Sequence, residues 1–199
     1  MTDERTIRVA LLVIVLVVFP IGLYYRIQSQ ATRESLDRRQ EGLFILATLR
    51  PIGILLWLGV IAYMINPAWM AWSSIPLPAW LRWTGLAMCA IGGGLMIWTF
   101  RRLGKNLTDT VVTRRDHMLV TNGPYRFVRH PFYVSGAVFA LGTSLVAANW
   151  LLFLGAVLFV GLIIIRTRTE EEKLLTRFGE SYRAYRQRTG RFIPKLRLR

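Results

Sequence analysis

The sequence predicts an all-α integral membrane protein with about five transmembrane helices, the last two forming a hairpin, and a cytoplasmic interfacial C-terminal helix. Three observations carry that prediction. Of 199 residues, 53% are hydrophobic and 19% charged. The apolar residues gather into runs close to the ~20 needed to cross a hydrocarbon core. The formal net charge of +15 falls mostly in the segments between and after those runs. That placement is expected of orientation in a membrane with anionic headgroups, and it argues against nucleic-acid binding.

The first run, Ile7 to Tyr25, is apolar or aromatic apart from Arg8 and leads into Arg26 with no small-residue cleavage site nearby. It therefore reads as a retained span rather than a signal peptide. The second and third spans are expected at about 43–65 and 80–100, and the last two lie within 133–166. Val134 to Ile165 is a 32-residue stretch without a charge. As one helix it would be ~48 Å long at 1.5 Å per residue, too long for a ~30 Å core. A hairpin turning near Asn149-Trp150 solves this, although each arm is then short and must recruit flanking residues or stop before the far side.

Charge tests the hairpin independently. Lys and Arg number four in 26–42, none in 66–79, seven in 101–132 and eleven in 166–199. The three basic segments share one side only if the last apolar block returns to the face it left. The amino terminus is then outside and the carboxyl terminus cytoplasmic. Asn66 to Ala79, uncharged and rich in Pro and Trp, suits the outer interface. No strand alternation or internal repeat stands out. The single cysteine, Cys89, cannot form an intrachain disulfide, and Gly92-Gly93-Gly94 suggests close helix approach. Phe178, Tyr182 and Tyr185, at i, i+4 and i+7 among arginines, describe an amphipathic helix on the cytoplasmic interface.

Candidate chemistry flanks the hairpin. Before it come His117-Met118-Leu119-Val120, Gly123-Pro124-Tyr125 and Arg129-His130-Pro131-Phe132-Tyr133. Pro124 and Pro131 bias their predecessors away from helix, so a shaped loop precedes a helix that starts at Pro131. Free backbone N–H groups at that start are a natural seat for a carboxylate. The alternative is that Arg129, His130 and the tyrosines only anchor the hairpin among headgroups. After the hairpin comes Arg166-Thr-Arg-Thr-Glu-Glu-Glu172. Arg166 and Glu170 share a helix face, with Glu171 about 100° around. A juxtamembrane salt bridge would be more stabilising in the opposite order, and the three carboxylates could also simply temper a basic tail. Two histidines and Cys89 give no metal-ligand spacing, no G-x-S-x-G occurs, and Ser135 near His130 lacks an orienting partner.

These motifs resemble the isoprenylcysteine carboxyl methyltransferase family in a prokaryotic form, with a wider relation to phospholipid N-methyltransferases. They are His-x-Leu-Val (117–120), Gly-x-Tyr (123–125), Arg-His-Pro-x-Tyr (129–133), Arg-x-x-x-Glu-Glu (166–171), Phe-Gly-x-x-Tyr-x-x-Tyr (178–185) and Thr-Gly-Arg-x-x-Pro-Lys (189–195). Residues 100–199 carry the resemblance well, the first two spans only in general character.

The resemblance implies an S-adenosylmethionine-dependent methyltransferase, in which residues 1–100 supply three spans and residues 101–199 the catalytic region. Donor contacts would come from His117, Met118, Leu119, Val120, Gly123, Tyr125, Arg129, His130, Pro131, Phe132, Tyr133 and Glu170. Arg166, Glu170 and Glu171 would be catalytic, with Arg166 facing the acceptor. Arg50, about seven residues into the second span, would either meet an acidic acceptor or snorkel. The expected partners are a lipophilic acceptor arriving from the bilayer and membrane lipids, without metal or nucleic acid. The expected place is the cytoplasmic membrane of a prokaryote. Two rival readings are a phospholipid amine N-methyltransferase and a non-catalytic membrane protein whose basic tail binds lipid or a partner.

Overall fold

The computed structural model describes residues 2–30, 43–104 and 119–195, and within them all regular structure is helical. Five α-helices follow in order: α1 (Thr2–Gln30), α2 (Leu43–Ile65), α3 (Ala79–Leu103), α4 (Pro131–Val146) and α5 (Trp150–Arg188). Short 3-10 turns, Pro67–Ser73 and Gly123–Arg126, lie between α2 and α3 and before α4. Four of the helices are long and apolar enough to cross a membrane, and α4, at 16 residues, is shorter. The hairpin is therefore uneven. Helix α5 recruits polar flanking residues and runs on well past the apolar block, while α4 does not.

The hairpin turn is where the sequence places it, and its chemistry is visible. Asn149 caps α5 by accepting from the Leu152 N–H at 3.1 Å, while its Nδ2 donates to Ser73 Oγ at 2.7 Å. The Ile75 N–H donates to the Ala148 carbonyl at 2.8 Å, so the uncharged loop is stitched to the turn. Asn149 and Ser73 are buried, and each polar group finds a partner there, as burial requires.

Close approach of α3 and α4 builds the centre. A Cβ on Gly85 would lie 2.7 Å from the Gly142 carbonyl oxygen and one on Gly92 2.9 Å from the Phe139 nitrogen, so both positions are held to hydrogen by facing backbone. A Cβ on Gly93 would meet Val18 of α1 at 2.6 Å, whereas Gly94 has open space. Two of the three consecutive glycines thus serve packing. Ile7, Leu11 and Val15 of α1 join Leu86, Cys89, Phe139 and Val146 in the main buried cluster. Helix α2 packs on α5, with Leu56 against Gly155 and Leu152 against Gly59. Many outward residues of α1, α2 and α5, such as Leu16, Leu55 and Leu158, are exposed, as lipid-facing side chains must be.

The two ends differ. At one, Arg82 at the start of α3 donates to Tyr63 Oη (2.9 Å) and to the Val146 carbonyl (3.0 Å), and lies 4.0 Å from Glu4. That brings together the start of α1, the end of α2, the start of α3 and the end of α4. At the other end Tyr25 stacks on Phe100, and Phe100 meets Phe132 at the start of α4. Leu49 of α2 packs there with Ile163 and Tyr133. Both charged clusters that flank the hairpin lie at this second end.

Helix α5 bends sharply at Gly179, whose φ of 51° is a left-handed conformation that favours glycine. The bend turns the last stretch back across the loop before α4. Tyr182 and Tyr185 are consequently buried against protein.

Candidate active site

Three segments converge at this end: the loop 119–130 with the start of α4, the part of α5 from Arg166 to Glu171, and the chain after α5. Pro131 is the first residue of α4, and His130 precedes it in a non-helical conformation without a side-chain cap. The first-turn amides are thus left to other acceptors. His130 is buried, with its ring 5.6 Å from that of Tyr133 and nearly parallel to it. Tyr133 Oη donates to Glu170 Oε2 at 2.7 Å, and the Arg166 guanidinium carbon sits 5.9 Å from the centre of the Tyr133 ring. His130 Nδ1 is 3.9 Å from Glu170 Oε1. Glu170, with a side chain 27% exposed, is the carboxylate open to a visitor.

Glu171 is enclosed instead, its side chain only 5% exposed. Its Oε1 accepts from Arg129 Nε at 2.9 Å and is 3.2 Å from both His130 Nε2 and Arg191 Nε, and Oε2 accepts from Arg191 Nη2 at 2.8 Å. It lies beyond the uncharged part of α5, outside the hydrocarbon. Burial pushes its pKa up, but the hydrogen bonds from His130, Arg191 and Arg129 outweigh that and hold it well below the usual carboxylate range. Sequence reading groups Glu171 with the catalytic residues and Arg129 with the donor contacts. In the structure they hold each other, and Arg129 also donates to the Thr189 and Arg186 carbonyls.

Leu119 and Val120 are half-buried at the start of the described loop, while His117 and Met118 lie outside the described residues. Gly123 has φ 60°, and a Cβ there would strike the Arg102 side chain at 2.5 Å. The Tyr125 carbonyl accepts from Tyr185 Oη at 2.7 Å, and burial first, with Glu170 second, pushes the Tyr125 hydroxyl above the usual tyrosine range. Phe132 packs on Phe100 and edge-on to Tyr133. Ser135 Oγ donates to the Phe132 carbonyl within its own helix turn. Arg50 follows Leu49, whose contacts with Ile163 and Tyr133 bring that turn of α2 to the site end. Sequence reasoning assigned no site role to Arg191, Thr189, Tyr182 or Tyr185. Their only signal was the motif after the hairpin, in which the bend at Gly179 was not legible.

The family model for phospholipid methyltransferases matches residues 80–181, just over half of the chain. The chain belongs to the phospholipid methyltransferase family. The protein-S-isoprenylcysteine O-methyltransferase of Schizosaccharomyces pombe is 35% identical over 118 residues, 56% of this chain and 48% of that protein. The human enzyme of the same name is 34% identical over 115 residues, 56% of this chain and 40% of its own length. A methanethiol S-methyltransferase from a Pseudomonas strain is 38% identical over 71 residues, 36% of this chain and 26% of that enzyme. This member of the family thus spans half or less of the length of these curated relatives. Among solved structures, the eukaryotic intramembrane Ras methyltransferase, an isoprenylcysteine carboxyl methyltransferase, is 28% identical with a TM-score of 0.53. That match covers 73% of this chain and 51% of the other. Together with the apolar helices, it makes this family member an integral membrane protein.

Proposed function

We propose that this protein transfers a methyl group from S-adenosylmethionine to a lipophilic acceptor, most suitably one bearing a carboxylate, with residues 101–199 as its catalytic region. The observation that carries the reading is the single cluster of Glu170, Tyr133, His130 and Arg166, which pairs an anionic half with a cationic one at the end of an apolar bundle.

The donor's chemistry fits these residues. S-adenosylmethionine supplies an electrophilic methyl group on a sulfonium. Its amino-acid part needs one anionic and one N–H-rich seat, and the site offers both. Glu170 receives the ammonium beside His130 Nδ1, with Tyr133 holding Oε2 in place. The uncapped first turn of α4 receives the carboxylate. The loop from Leu119 to Tyr125 walls this space, braced by Tyr185.

Arg166, one helical turn before Glu170, holds the acceptor. A guanidinium positions a carboxylate through two parallel hydrogen bonds, but it also draws electron density from the attacking oxygen. Its contribution is therefore alignment, where small displacements cost large factors in rate. Arg50 gives the acceptor's acidic group a second cation from α2. Carboxylate methylation matches the isoprenylcysteine relatives. An amine acceptor is a second reading, which the phospholipid family description favours and which needs no carboxylate-binding arginine.

Calorimetry of the detergent-purified protein with S-adenosylhomocysteine tests the reading first. Saturable binding is expected, and its absence from a folded sample would remove the enzymatic hypothesis. Labelled donor with lipid extracts, followed by base, then separates the acceptors: an ester releases methanol and a methylated amine does not.

A further inference from the structure

The segment that follows α5 does more than end the chain. The Arg129 N–H donates to the Gly190 carbonyl at 2.8 Å and the His130 N–H to the Arg191 carbonyl at 3.2 Å, so the last turn lies along the loop as a minimal parallel bridge. A Cβ on Gly190 would fall 1.7 Å from the Ile193 carbonyl oxygen, so only glycine lets the chain double back there. Doubling back places the Phe192 ring 5.8 Å from that of His130. Lys195 Nζ then reaches the Arg186 and Gln187 carbonyls at 3.2 and 2.9 Å and closes the turn onto α5. The backbone bridge is locked by charge, because Arg191 grips both oxygens of Glu171, which also engages Arg129 and His130 Nε2.

This arrangement constrains the imidazole. Glu171 is ionised and can only accept, so the nitrogen facing it, Nε2, must carry the proton. In the neutral ring Nδ1 is then an acceptor, and Nδ1 is the nitrogen beside Glu170. Oε1 of Glu171, already receiving three donors, has no capacity for a ligand.

We propose that the turn Thr189–Lys195 is a latch, closed by Arg191 on Glu171, that fixes the His130 ring with Nδ1 toward the donor site. Arg191 and Glu171 are then positioning residues, and this assignment rests on the donor reading above. The latch explains why two adjacent carboxylates on α5 differ so much in exposure. Glu170 meets the ligand, whereas Glu171 holds the wall that aims its neighbour's partner.

The test uses the full chain in detergent, with Arg191→Ala, Arg191→Lys, Glu171→Gln and the Ala/Gln double variant. Two quantities are read: hydrogen exchange of the ligand-free peptide 128–133, and calorimetric affinity for S-adenosylhomocysteine. Arg191→Ala should speed exchange at Arg129 and His130 and weaken binding by roughly 10-fold to 100-fold, with Arg191→Lys recovering part of both. In turnover, the donor KM should rise while kcat at saturating donor is largely kept. The double variant should be no weaker than the worse single one, because both changes open the same latch. If Arg191→Ala costs as much affinity in the Glu171→Gln background as in the wild type, Arg191 touches the ligand itself and the latch is wrong. Unchanged exchange in a folded Arg191→Ala variant overturns it as well. Wild-type protein that fails to bind S-adenosylhomocysteine, while Arg191→Ala still releases these amides, would sink the donor reading and leave the latch standing.

Discussion

Glu170 and Glu171 are identical in type and adjacent in sequence, so spacing alone places them about 100° apart and says nothing of their partners. The structure gives one an exposed edge and the other three cationic or imidazole neighbours. Glu170→Gln keeps the shape and the Tyr133 contact but removes the charge, so donor affinity should fall by about 10-fold to 100-fold, the loss expected for a charge-assisted hydrogen bond. Arg166→Ala should leave donor affinity near wild type and abolish transfer. Binding isotherms and single-turnover rates on both variants separate the two roles, and equal, mild effects from both would mean a structural pair. A second contrast concerns the tyrosines after Gly179. Tyr185→Phe deletes a donor to the Tyr125 carbonyl and should cost about 1 kcal/mol of stability. The Tyr182 hydroxyl is buried without a hydrogen-bond partner among the described residues, so Tyr182→Phe should leave the thermal midpoint unchanged or higher. That the two motifs flanking the hairpin meet was legible, because the hairpin returns the chain to the end it left. The enclosure of Glu171 was not, because it depends on Arg191, twenty residues further along and on another segment.

Helix spans were readable because bilayer crossing imposes length and apolarity, and α2 and α3 fall within a few residues of their expected bounds. The hairpin was readable for a stronger reason: two independent constraints, bilayer thickness and basic-residue placement, demanded the same turn. What escaped is the destination of the last stretch. Phe178, Tyr182 and Tyr185 show helical spacing, but spacing identifies an apolar face without saying whether lipid or protein covers it. Gly179, by bending α5, turns Tyr185 onto the loop before α4, with Tyr182 buried beside it. The glycines of α3 show the same limit, since only facing backbone tells Gly92 from Gly94. Gly85→Val should therefore destabilise the α3–α4 pair by roughly 1–3 kcal/mol, because the Gly142 carbonyl and Val146 nitrogen cannot yield as a side chain would. Gly94→Ala meets nothing within 4 Å and should be neutral or slightly stabilising. Thermal unfolding of both variants in one detergent, followed by tryptophan fluorescence, measures the difference.

At the scale of the whole molecule, the two ends of the bundle differ in the groups they gather. Arg82, Tyr63 and Glu4 tie four helix termini together at the first, and no ionisable residue of the candidate site lies there. The second end gathers Arg129, His130, Arg166, Glu170, Glu171 and Arg191. The proposed transfer requires the second end to face the compartment that holds a polar donor. The count of basic residues predicts that the second end faces the cytoplasm, because in the sequence the three basic segments adjoin the helix ends gathered there and the uncharged loop adjoins the others. Sidedness can be measured directly. In a Cys89→Ala background, single cysteines at Ser74 in the uncharged loop and at Ser181 beyond the bend are both at exposed positions. A membrane-impermeant maleimide applied to intact cells or right-side-out vesicles should label Ser74→Cys at once and Ser181→Cys only after permeabilisation. The reverse order would invert the protein in the bilayer while keeping the fold. Labelling of both from one side would contradict the hairpin, and it would also part Tyr133 from Glu170, whose 2.7 Å hydrogen bond requires the two ends of the hairpin to meet on one face.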